Sequence, residues 1–159
     1  MRCLGPGDIL PVVENWLSPL EVGERERVVG ALARALAGEP DVRLAYLYGS
    51  FAAGSYFADI DVGVLLDPEA ARDFARQARL TARLEEASGV HVPVDLRPLN
   101  DAPISFVGPI VQRGRLLRAR DAGERIDFEA RILSLWFDFL PTWRENARAL
   151  FLRVAEHGR

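Results

Sequence analysis

The sequence predicts an α+β domain: a small mixed β-sheet flanked by helices, followed by a long C-terminal helical region. Three patterns carry that prediction. Two short runs of period-two apolar residues, 42–48 and 60–66, flank a Gly-Ser turn. A third such run, 91–97, arrives only after a helical stretch. From 124 to 156 apolar residues recur at steps of three or four. The 159 residues read as one domain, with N-terminal helices over 9–38, a core over 41–121 and the helical region over 124–156.

Taken in order, Met1 to Pro6 is a lead-in. Leu10, Val13, Trp16, Leu17 and Leu20 then recur at helical spacing, which predicts a short helix over 9–20 ending near Ser18-Pro19. A second helix over 24–37 points Val28, Val29, Leu32 and Leu36 inward and stops at Gly38. Pro40 separates it from the first strand, where Val42, Leu44, Tyr46 and Tyr48 alternate with Arg43, Ala45 and Leu47.

Gly49-Ser50 is a turn, and a short glycine-bearing segment leads to the second strand. Ile60, Val62, Val64 and Leu66 share one of its faces, so Asp59 and Asp61 share the other. Residues two apart on one face are roughly 7 Å apart at the backbone, close enough for two carboxylates to converge on one divalent ion or two neighbouring ones.

Asp67-Pro68-Glu69 opens the next helix, with Asp as cap and Pro at the first position. The pattern runs to Ala87 with Ala71, Phe74, Ala78 and Leu84 on one side, and Gly89 stops it. Arg72, Arg76, Arg79 and Arg83 form a second stripe, read as a solvated face. In the third run Val92, Val94 and Leu96 face one way and His91, Asp95 and Arg97 the other; Pro93 marks a strand start or sheet edge.

In the C-terminal region Phe128, Ile132, Leu135, Phe139, Trp143, Ala147, Leu150 and Val154 form the inward stripe, and Pro141 predicts a kink or break near Leu140. Trp136, Phe137, Leu140 and Phe151 widen the stripe beyond one core-facing side. At least half of these aromatics and aliphatics belong to the core, and the remainder form an apolar surface for a partner.

Composition excludes several functions. A net charge of -3 gives no general attraction to nucleic acid. All 20 basic residues are Arg, so a Lys nucleophile, Schiff base or P-loop lysine is excluded. No stretch reaches the ~20 apolar residues of a membrane span. Cys3 is the single cysteine, and residues 1–13 lack the pattern of a secretory leader, so the expectation is a cytoplasmic protein. His91, His157 and Cys3 do not make a zinc cluster, and no serine sits in a hydrolase elbow.

The segment Tyr48-Gly49-Ser50, spacer, Asp59-Ile60-Asp61-Val62 resembles the signature of the DNA polymerase beta-like nucleotidyltransferase superfamily. Within it the chain is most similar to the minimal nucleotidyltransferases of prokaryotes. The resemblance spans about 44–121 and implies the polymerase beta-like nucleotidyltransferase fold. It also implies that Asp95, on the strand after the helix, is the third carboxylate. The chain departs from the family pattern at Ala53, where Arg is usual, at Ala58, where Ser commonly precedes the first Asp, and in a shorter spacer.

The implied chemistry is in-line attack of a hydroxyl on the α-phosphate of ATP, with Mg²⁺ as metal. Asp59 and Asp61 would hold the ions. Asp95 would hold the ion nearer the attacking hydroxyl or help remove its proton, and Gly49 and Ser50 would bind phosphate. Arg97 and His91 stay outside the catalytic set.

Three functions follow from the resemblance. The first is an antitoxin that transfers AMP from ATP to a tyrosine hydroxyl of a cognate HEPN-domain RNase toxin. The second is a non-catalytic antitoxin that masks the toxin by contact. The third is an aminoglycoside-type small-molecule nucleotidyltransferase, for whose further substrate domain the chain has little room. The first implies a nucleotide triphosphate and a HEPN toxin as partners, in a homo-oligomer or hetero-oligomer, with no direct nucleic acid and no membrane.

Overall fold

In the computed structural model the described residues are 20–157, with side chains as far as Arg148. The helix expected over 9–20 and the residues Leu150, Phe151 and Val154 lie outside that description. The element order is α1 (Val22–Ala37), β1 (Val42–Tyr48), α2 (Gly49–Ala53), β2 (Ile60–Leu66), α3 (Pro68–Arg72), α4 (Phe74–Ser88), β3 (Val94–Pro98), α5 (Ile104–Arg113), β4 (Arg115–Ala119) and α6 (Ala122–His157).

The strands form one mixed sheet in the order β3-β2-β1-β4. β1 is antiparallel to β2 and β4, whereas β3 runs parallel to β2. The α3–α4 segment makes the crossover that a parallel neighbour requires. β3 is an edge strand, and the Pro93 carbonyl accepts the Ile60 N–H just ahead of it. A proline there costs no ladder bond.

Both faces of the sheet are covered. One core holds Val28, Val29, Leu32 and Leu36 of α1 and Leu80 and Leu84 of α4 against Ile60, Val62, Val64 and Leu66 of β2. The other holds Leu99, Val107 and Ile110 with Phe128 and Ile132 of α6. β1 serves both. Its register shifts between Val42 and Leu44, so Val42 joins the first core with Ala45 and Leu47, while Leu44 and Tyr46 join the second. The simple alternation expected of this strand is therefore corrected by an irregularity that moves Val42 to the opposite face.

The single helix expected from Asp67 to Ala87 is two helices. Asp73 leaves the helical region (φ −93°, ψ 97°) and caps α4 by accepting the Arg76 N–H at 3.0 Å. Asp67 stands at the cap of α3 with Pro68 after it, as expected, but its side chain makes no capping bond and its carboxylate takes Arg120 at 2.8 Å. The break re-phases the inward line to Leu80, Leu84 and Ser88. Phe74, expected inward, becomes the first residue of α4 and is 84% exposed, and Ala78 is exposed as well.

The arginine stripe is not simply solvated. Arg76 bonds Asp41 at 2.8 and 2.6 Å and Glu39 at 2.5 Å, Arg83 takes Glu39 at 2.8 Å, and Arg79 faces Asp73. The Arg76 and Arg83 pairs hold α4 to the loop between α1 and β1.

α6 runs without a break through Pro141. A proline removes one i→i−4 bond. The carbonyl it leaves belongs to Phe137, which is half exposed and can take water instead. The inward residues are Phe128, Ile132 and Trp136, at steps of four. Leu135 and Trp143, expected inward, are exposed. Trp136 lies against Gly108 of α5, where an added Cβ would come within 2.5 Å of the indole, so glycine sets the close α5–α6 approach. The Tyr46 hydroxyl donates to Glu129 at 2.9 Å and fixes α6 to β1. No described helix is long and apolar enough to cross a membrane.

Candidate active site

The site forms where β1 ends. Gly49 has φ +75°, a left-handed conformation that L side chains resist. Space imposes the same requirement, because a Cβ there would stand 1.8 Å from Asp61 Oδ2 and 2.7 Å from its Cγ. The Asp61 carboxylate therefore lies directly over the Gly49 backbone. The expected turn is a helical one, α2, with Ser50 as its second residue and Gly54 (φ 73°) as its left-handed cap.

Strand register brings the next residues together. Tyr48 on β1 is the ladder partner of Asp61 on β2, and Asp61 is the partner of Asp95 on β3. Neighbouring strands are about 4.8 Å apart, so the phenol and two carboxylates stand side by side in one row on one face. It is the face of Gly63 and Leu65, away from the Ile60–Leu66 set, as the alternation predicts. Asp59 precedes β2 in a bend, partly buried.

The charges on this row interact. Burial pushes the Asp61 carboxyl up to about 6, with the negative charges of Asp59 and Asp95 adding and Arg97 opposing. Burial also pushes the Tyr48 phenol up, reinforced by Asp61, Asp95 and Asp59 against Arg97, so it is protonated at neutral pH. Its ring packs edge-on against Phe106 at 5.8 Å. Arg97 spans Asp95, with Nε at 3.0 and 2.9 Å from its two oxygens.

A divalent ion suits this donor set. Hard carboxylate oxygens are the ligands Mg²⁺ prefers, and an added cation would relieve the repulsion that adds to burial in raising Asp61. Among the described residues no three His, Cys, Asp or Glu side chains are already gathered as a metal-holding group. The carboxylates and substrate phosphates together would complete such a shell.

Beside Gly49 opens a cleft of about 380 Å³ lined by Tyr48, Ala52, Pro109, Arg113 and Arg115. Arg115 forks onto Glu26 at 2.5 and 2.7 Å. Arg113 makes no ion pair among the described residues. Sequence reasoning places Tyr48 in the Gly-Ser motif without giving it a site role, and does not single out Arg113 or Arg115 as site residues. Counting back one strand from Asp61 finds Tyr48, but the arginines come from a later helix and strand and carry no local signal. Of the departures from the family pattern, Ala53 is exposed and Ala58 partly buried; His91 is exposed.

The fold is shared with solved toxin–antitoxin structures. A chain of the MntA–HepT toxin–antitoxin aligns with a TM-score of 0.56 at 19% identity, covering 82% of this chain and 99% of that one. A toxin–antitoxin with AMP-PNP gives a TM-score of 0.59 at 21% identity over 80% and 98%. A tri-AMPylated HEPN toxin in complex with its MNT antitoxin, from Shewanella oneidensis, gives 0.55 at 20% identity over 80% and 96%. A search of curated proteins finds no match. The family model for polymerase beta, nucleotidyltransferase matches residues 31–123, more than half of the chain and a span that holds all four strands, Gly49 and the three carboxylates. The chain is thus a member of the polymerase beta-type nucleotidyltransferase family.

Proposed function

We propose that the protein is the antitoxin of a toxin–antitoxin pair and transfers AMP from ATP to a tyrosine hydroxyl of a HEPN-domain toxin. The observation that carries the reading is the row Tyr48–Asp61–Asp95 set beside Gly49 in a nucleotidyltransferase domain. The likeness to toxin–antitoxin structures, one with AMP-PNP and one with an AMPylated HEPN toxin, supports the choice of substrate and partner.

Asp59, Asp61 and Asp95 would hold Mg²⁺, which supplies charge stabilisation for the phosphate oxygens and a more acidic attacking hydroxyl. Gly49 admits the Asp61 carboxylate over one side of its backbone and, lining the cleft, would offer its N–H to the triphosphate. Ser50 offers its N–H and hydroxyl to the same phosphates. Asp95, outermost of the row on the edge strand, would hold the ion nearer the incoming hydroxyl or help remove its proton. Tyr48 stays neutral beside the acids and walls the cleft in which the nucleotide would lie. The products are an AMP–tyrosine phosphodiester and pyrophosphate.

Incubation of a HEPN-domain protein from a gene neighbouring this one with the protein, ATP and Mg²⁺, followed by intact mass measurement, tests the reading. The expected result is a gain of one or more AMP residues on the HEPN protein. A second reading, a non-catalytic antitoxin, is favoured by Ala53, Ala58 and the Arg97 clasp on Asp95. It predicts a stable complex whose partner keeps its original mass.

A further inference from the structure

The cleft beside Gly49 is not isolated. A second hollow of about 410 Å³ lies between α5 and α6, and the two share Pro109 and Arg113 in their walls. Trp136, 2% exposed, forms the inner wall of the second hollow, held by its Nε1–H donating to Gln112 at 3.1 Å. Trp143 stands 6.1 Å from the Trp136 ring and is 44% exposed, and Leu140 and Arg144 complete the lining. Neither Arg113 nor Arg144 meets an acidic side chain within ion-pair distance among the described residues, although every other arginine named so far that lines the cleft or the α4 stripe, apart from Arg72, does.

A hollow lined by apolar rings and by two guanidinium groups without an acidic partner among the described residues fits one chemistry best: an acidic polypeptide segment bearing an apolar or aromatic anchor. Guanidinium forks pair with carboxylates in a fixed geometry, and a half-exposed Trp over a fixed Trp offers the rigid area that dominates interface energies. The shared wall adds direction. A segment anchored at Trp143 and running past Arg113 arrives at Gly49 and the Tyr48–Asp61–Asp95 row.

The geometry points to the α5–α6 hollow as the docking site for an acidic segment of the protein substrate, held so that its acceptor hydroxyl reaches the carboxylates. The inference rests on the proposed protein-directed AMP transfer and adds where the substrate is gripped. It uses Trp143 and Arg144, neither of which lies in the carboxylate site.

The test compares wild type, Trp143→Ala and Arg144→Glu. Calorimetry measures the affinity of each for a HEPN-domain protein from a neighbouring gene and, separately, for AMP-PNP with Mg²⁺. Arg144 is exposed and Glu is a good helix former, so Arg144→Glu answers even where loss of Trp143 disturbs packing against Trp136. The expected result is a loss of about tenfold or more in affinity for the HEPN protein in both variants, unchanged AMP-PNP affinity, and wild-type binding that weakens with salt. Full HEPN affinity in Arg144→Glu overturns the docking site and leaves the proposed function standing. A loss of AMP-PNP affinity in either variant overturns it in favour of a nucleotide subsite. A wild-type dimer that Trp143→Ala dissociates overturns it in favour of self-association. No complex of the wild type with the HEPN protein overturns the docking site and the proposed function together.

Discussion

Gly49 and Asp61 occupy each other's space: the Asp61 carboxylate fills the volume where a side chain on residue 49 would begin. The two meet because β1 and β2 are antiparallel, with Tyr48 opposite Asp61, so the residue after Tyr48 turns beneath that carboxylate. Backbone freedom at one residue thus sets where a charge is held on the next strand.

Gly49→Ala tests that dependence. The left-handed conformation alone costs a non-glycine residue about 1–2 kcal/mol, and the Cβ would also displace Asp61. The expected outcome is a lower Tm and loss of Mg²⁺-dependent ATP binding by calorimetry. Unchanged ATP affinity would remove Gly49 from the site.

The charge on Asp61 makes the metal-free fold less stable. Its folded pKa is raised from 3.8 to about 6, so the folded state holds the proton more tightly than the unfolded chain. Stability is full below the unfolded value and declines as pH rises from about 4 through about 6. Asp61→Asn removes that decline and should raise stability at pH 7 by about 1 kcal/mol, after discounting for partial exposure. Mg²⁺ should stabilise the wild type in thermal melts, and should not stabilise Asp59→Asn/Asp61→Asn, which also loses Mg²⁺-dependent ATP binding.

Asp95→Asn separates binding from turnover. A group that receives the acceptor proton contributes in the transition state, so single-turnover AMP transfer should fall on the order of 100-fold or more. ATP affinity should fall much less. Equal losses in both would make Asp95 a plain ligand.

Arg76→Ala probes the fold away from the site. It strips a shared cation from Glu39 and Asp41, whose side chains are only 10% and 21% exposed. The expected cost is roughly 2–4 kcal/mol in urea unfolding at pH 7. The hydrogen bond from Arg76 holds the Asp41 carboxyl below its usual value, a contribution present above pH 4 and lost as pH falls. The variant should therefore show a shallower loss of stability on acidification.

Much of this was legible in the sequence where neighbours along the chain decide the outcome. The face carrying Val28, Val29, Leu32 and Leu36, the Ile60–Leu66 alternation and the edge position of Pro93 each follow from local periodicity or from the missing N–H. The break at Asp73 was not legible, because Asp67-Pro68 is an equally good start signal and Arg120, far along the chain, takes its carboxylate instead. The Arg76 pairing and the arginines of the cleft depend on contacts between distant elements, on which periodicity is silent. The exposure of Trp143 turned on whether the inward line stepped by three or four after Ile132, and Gly108 decided it by admitting Trp136.

α6 divides at Trp136. Its first part is built into the sheet through Phe128, Ile132 and the Glu129–Tyr46 bond, whereas from Phe137 to Arg148 no residue is buried. The family match ends at residue 123, just where this helix begins. The outer half can therefore vary in sequence with little penalty to the core or to the carboxylates. Under the proposed docking, recognition drifts while the carboxylate site stays put, and transplanting the outer turns between relatives is a direct route to redirecting which protein is bound.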